Sequence, residues 1–87
     1  MKDLKALQKE LESYNNKDLS IIIEGSLKLS LTIHNAQCMV TKKVLLVGNS
    51  DLTNEEIEIT VDEINCIEIN SEIHLEMNGN YDIYIST

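Results

Sequence analysis

The 87-residue chain has no arginine, no tryptophan, no phenylalanine and no proline, and only three glycines and two cysteines. Without arginine it lacks the planar, bidentate fork that reads phosphate oxygens and guanine edges. Without tryptophan and phenylalanine the core must come from isoleucine, leucine and valine, with Tyr14, Tyr81 and Tyr84 as the only aromatic rings. No apolar run approaches the roughly 18–20 residues that cross a bilayer as a helix, so a transmembrane helix is excluded, and no membrane partner is expected. The opening Met1-Lys2-Asp3-Leu4-Lys5 is charged and leads into no apolar signal stretch, which predicts a cytoplasmic protein. Cys38 and Cys66 can form at most one disulfide, and in that compartment two cysteines read as plain thiols.

What is present is charge, unevenly placed. The net charge is −8. Residues 1–50 hold all seven lysines and five acids, whereas residues 51–87 hold ten acids and no lysine. Direct nucleic-acid binding by the second half is therefore not expected. An acidic surface of this kind suits a basic protein surface, a cation, or solubility alone.

The length allows a single domain, residues 1–87, that buries little more than ~60% of its unfolded surface. Leu4, Leu7, Leu11 and Tyr14 recur at three- and four-residue spacing, which predicts an amphipathic helix over 3–14. Asp3 is placed to cap it, and Asn15-Asn16 to stop it in a left-handed conformation. From residue 18 to 86 the pattern is strand. Ile21-Ile22-Ile23 is a β-branched run ending at Gly25, and Leu27, Leu29, Leu31 and Ile33 alternate with polar residues as in a half-buried strand. A hairpin is expected at Asn35, then one long strand from Cys38 to Val47 interrupted at Lys42-Lys43. The rows Ile57-Ile59-Val61, Ile64-Ile67-Ile69, Ile73-Leu75-Met77 and Tyr81-Ile83-Ile85 follow, with a bend at Asp62-Glu63 and turns at Asn70-Ser71-Glu72 and Asn78-Gly79-Asn80. The predicted fold is α+β: one N-terminal helix packed on a twisted antiparallel β-meander of five to seven strands, able to curl into a small barrel.

Matching the apolar rows across the last two turns sets a register. Ile67 faces Leu75 and then Ile83; on the outer side Cys66, Glu76 and Asp82 form one row, and Glu68, His74 and Tyr84 another. Glu68, His74 and Tyr84 have the chemistry of base, shuttle and donor, and Cys66 with His74 could open a zinc site. An open sheet face offers no water-excluding pocket and too few soft ligands, so neither catalysis nor a metal or other cofactor is expected. The segment Asp51-Leu52-Thr53-Asn54-Glu55-Glu56 lacks the alternating ligands and central glycine of a calcium loop.

The order of elements, a short helix followed by five strands, resembles the Sm-like small barrel over residues 1–70. Gly25 falls where those barrels place a glycine between the first two strands, and the segment 57–69 resembles their last two strands. Their aspartate–asparagine pair is replaced by Asn35-Ala36-Gln37, and their basic RNA contacts have no counterpart, so no RNA site follows. The resemblance implies a homo-oligomeric structural or small-ligand-binding module that assembles through strand edges.

Glu56, Glu58, Asp62, Glu68, Glu76 and Asp82 are expected on the solvent side of successive strands, with same-face neighbours along a strand about 6.6–6.8 Å apart, close to backbone phosphate spacing. The leading expectation is thus a non-enzymatic interaction protein whose acidic face enters the basic groove of a nuclease or another nucleic-acid-handling protein. In size and charge it is similar to the small acidic inhibitors of phages and mobile elements, anti-CRISPR proteins among them. The competing expectation is that these acids only keep an isoleucine-rich sheet soluble.

Overall fold

A computed structural model describes residues 3–49 and 56–87. The element order is helix α1 (Leu4–Glu12), then β1 (Leu19–Glu24), β2 (Lys28–Ile33), β3 (Gln37–Val40), β4 (Val44–Gly48), β5 (Glu56–Thr60), a 3-10 turn (Val61–Glu63), β6 (Ile64–Ile69), β7 (Ile73–Met77) and β8 (Tyr81–Ser86). The class is α+β, with antiparallel pairing throughout. Residues 51–55 of the calcium-like segment lie outside the described residues.

Three expectations change. The described residues form eight strands, not five to seven. They divide into two sheets, ordered β2-β1-β8-β7-β6 and β3-β4-β5, where one meander was expected. The sheets are also not closed into a barrel: four strand edges remain, at β2, β6, β3 and β5. The physical reason lies in two places. The chain leaves one sheet at the Asn35 corner and returns through the 3-10 turn, and β8 pairs with β1, far away in sequence. Lys42-Lys43 is a turn that splits the expected long strand into β3 and β4, held by the Thr41 hydroxyl accepting from the backbone N–H of Lys43 and Val44 at 3.2 and 3.0 Å.

The helix forms as its spacing predicts, over a shorter span. Asp3 accepts a hydrogen bond from the Ala6 N–H at 3.0 Å, satisfying one of the four orphan donors of the first turn. Asn16, at φ 66°, ends the turn that follows. Leu7, Leu11 and Tyr14 are buried, and the helix packs on β3 and β6, edge strands of different sheets, and so closes that side of the core. Its exit is tied to the β2–β3 corner by reciprocal backbone bonds, Asn16 N–H to Ala36 C=O at 2.8 Å and Ala36 N–H to Lys17 C=O at 2.9 Å.

The core joins both sheets. Leu19, Ile21, Ile64, Ile73, Leu75, Ile83 and Ile85 of the larger sheet meet Leu45, Val47 and Ile59 of the smaller. The inward rows are the alternate residues read from the sequence. Asn65 is an extra, bulged residue between Ile64 and Cys66; it resets the phase of β6 and leaves the rows from Cys66 onward in register. Gly79 at φ 92° and Asn80 at φ 64° make the β7–β8 turn. Gly25 is held by close approach: a Cβ there would stand 3.0 Å from the Tyr81 Cβ.

Candidate acidic face

The pairing of the last three strands matches the register read from the apolar rows. Cys66 faces Glu76 and Glu76 faces Asp82; Glu68 faces His74 and His74 faces Tyr84. Because β8 also pairs with β1, both rows extend further. Asp82 faces Glu24, which faces Lys28, and Tyr84 faces Ile22, which faces Ser30. The outer face of the five-stranded sheet therefore carries Glu24, Glu68, Glu76 and Asp82, crossed by one histidine and bounded by one lysine.

His74 lies at the centre. Its Nε2 is 2.8 Å from Asp82 Oδ1, and its Nδ1 is 3.6 Å from Glu68 Oε1. The short contact puts a proton on Nε2, which donates to the carboxylate. The imidazole stacks on the Tyr84 ring with centroids 4.5 Å apart and planes 10° from parallel. Partial burial raises the Tyr84 phenol above its ordinary value, and the negative charges of Asp82, Glu24, Glu72 and Glu68 push it the same way. Six side chains from four strands and a turn thus share one negative field.

Two of the cross-strand pairs in this patch, Glu76–Asp82 and Asp82–Glu24, set like charges directly opposite each other. Such pairs disfavour the isolated sheet by a few tenths of a kcal/mol each. Relief within the fold is partial: His74 Nε2 donates to Asp82 at 2.8 Å, Lys28 Nζ is 3.5 Å from Glu24 in an exposed pair worth little, and Asn65 Nδ2 donates to Glu76 at 3.4 Å.

The six acids singled out from the sequence do not share one face. Glu68, Glu76 and Asp82 converge here. Glu56 and Glu58 are exposed on β5 of the smaller sheet, and Asp62 is exposed in the 3-10 turn between the sheets. Glu24 belongs to the patch and was missed. Its signal was available, because the inward phase of Leu19, Ile21 and Ile23 turns even-numbered Glu24 outward, but its place beside Asp82 follows only from the long-range β1–β8 pair.

The thiols fall on different sheets and different faces. Cys38 faces inward on β3, where burial pushes it up to about 11, and Cys66 faces outward on β6; they are not bridged. Among the described residues no three His, Cys, Asp or Glu side chains converge as metal ligands, and no helix is long and apolar enough to cross a membrane. A 310 Å³ cleft opens between β5 and the larger sheet, lined by Ile23, Ile57, Ile59, Met77, Tyr81 and Ile83 with Glu58, Thr60 and Glu63. Its walls carry no histidine, cysteine or serine. Comparison with protein-family models, curated proteins and solved structures finds no match to this chain.

Proposed function

We propose that the protein is a non-enzymatic interaction protein whose acidic outer sheet face, formed by Glu24, Glu68, Glu76 and Asp82, enters a lysine- and arginine-lined groove of a nucleic-acid-handling protein. The observation that carries this reading is the row Glu76-Asp82-Glu24, two successive like-charge pairs that weaken the free fold and are relieved by cations from outside. The row runs across three neighbouring strands, whose directly opposed residues stand about 4.5–5.5 Å apart, so the face offers a basic channel a line of closely spaced negative charges. Small acidic inhibitors of phage or mobile-element origin work in this way, and the likeness is one of size and charge. Glu56, Glu58 and Asp62 contribute only where the groove wraps around the edge of the smaller sheet.

The test is competition. A panel of purified DNA nucleases with basic channels is assayed for duplex DNA binding with and without the protein. The reading expects at least one to lose DNA in proportion to added protein, and the triple variant Glu68→Lys, Glu76→Lys, Asp82→Lys to lose that effect while keeping the parent's circular dichroism. A folded triple variant that competes as well as the parent overturns it.

A further inference from the structure

We propose that the protein self-associates as a two-fold dimer through the free edge of β2, joining two five-stranded sheets into one of ten strands; this inference stands independently of the acidic-face reading. Strand β2 pairs with β1 alone, and its other edge meets no described strand. On the face turned toward the smaller sheet, only Ile33 of its apolar row is covered. Leu27, Leu29 and Leu31 are 79%, 55% and 41% exposed. The alternation is that of a strand with a buried face, yet two of its three inward side chains, Leu29 and Leu31, meet water, as does Leu27 in the turn before it. Soluble chains seldom leave a contiguous apolar strip bare beside an unpaired strand edge.

The other three edges are guarded. Helix α1 packs on both β3 and β6, and β5 carries Glu56 and Glu58. Residues 25–50 contain no acid at all, so β2 is where a second chain of net charge −8 approaches without opposing carboxylates. Among the described residues, two acids flank this strand, and both are engaged: Glu24 is 3.5 Å from Lys28, and Asp18 accepts from the Asn35 N–H at 3.0 Å and lies 3.5 Å from His34.

The strand is also self-complementary. Antiparallel pairing keeps inward rows together only when residues of equal parity oppose each other. A two-fold axis through Ser30 satisfies this, pairing residues 28–32 of the two copies and setting the exposed Leu29 and Leu31 against each other. It also opposes Lys28 to Thr32 and so avoids a lysine–lysine pair. A register shifted to place Lys28 on the axis would lose that advantage. The contact is isologous and closes at two copies.

The test is sedimentation equilibrium of the full chain over a range of concentrations, at low and high salt. The expected result is a dimer that high salt does not dissociate, since backbone pairing and apolar burial resist screening and the repulsion between the chains weakens. Leu29→Glu and Leu31→Glu, at positions already exposed, should each give a monomer with the parent's far-UV spectrum. Ser30→Cys gives a second readout, because its thiol faces its own copy and a short thiol-to-thiol crosslinker should join it into a covalent dimer beyond the level of the parent. A parent that stays monomeric, any larger closed assembly, or a folded Ser30→Cys chain that fails to crosslink overturns the proposal.

Discussion

Replacing Glu76 with lysine should make the isolated protein more stable. In the parent, Glu76 stands directly opposite Asp82 on the outer face, and Asp82 stands opposite Glu24. The substitution turns one repulsive cross-strand pair into an attractive one. Such pairs contribute roughly 0.2–1 kcal/mol in either sense, and the site is exposed, so a net gain of about 0.5 kcal/mol is expected. The change also removes the 3.4 Å hydrogen bond from Asn65, an exposed and weakly aligned contact that offsets little. For a domain of this size about 0.5 kcal/mol corresponds to a rise of roughly 2–4 °C in Tm. The assay is thermal unfolding by circular dichroism in low salt, repeated in high salt, where the gain should shrink as the charges are screened. A Tm that falls, or a rise that salt leaves untouched, would refute the argument that this row opposes folding.

Leu75→Ala removes a fully buried side chain from the middle strand of the last hairpin pair and should cost about 2–5 kcal/mol, a large share of a small domain's stability, read as a lower urea midpoint. Gly25→Ala places a Cβ 3.0 Å from the Tyr81 Cβ and should lower Tm, because both atoms are fixed close to the backbone and neither can swing aside. Asp18 accepts a 3.0 Å bond from the Asn35 N–H, and that bond first, then His34, holds its carboxyl below the usual range. Its stabilisation is therefore present above the ordinary carboxylate range and lost as pH falls through the lowered folded value. Asp18→Asn should flatten the acid limb of a Tm-versus-pH profile, and an unchanged limb would contradict the assignment.

The parts of this fold that were legible in the sequence are those decided locally. The helix and its Asp3 cap, the left-handed Asn16 and Asn35, and the register of β6, β7 and β8 all follow from spacing and turn chemistry within a few residues. The split into two sheets was not legible, because β1 pairs with β8 over some sixty positions and no local pattern announces that partner. The same pair brings Glu24 to Asp82, so the richest part of the acidic patch was hidden with it. Strand β2 misled for a different reason. Its alternation specifies an apolar face, but alternation does not say whether that face is covered, and past Ile33 the smaller sheet does not reach it. Lys42-Lys43 carries none of the glycine, asparagine or proline that mark tight turns; Thr41 makes the turn instead.

Glu24, Glu68, Glu76 and Asp82 are proposed as a binding surface for cations supplied by a partner's groove. The most direct measurement is the displacement of duplex DNA from basic-channel nucleases by the parent and by the Glu68→Lys, Glu76→Lys, Asp82→Lys variant, at two salt concentrations. The expected result is displacement by the parent that weakens as salt rises and is absent for the folded variant. Displacement that survives the three charge reversals, or no displacement from any member of the panel, contradicts it.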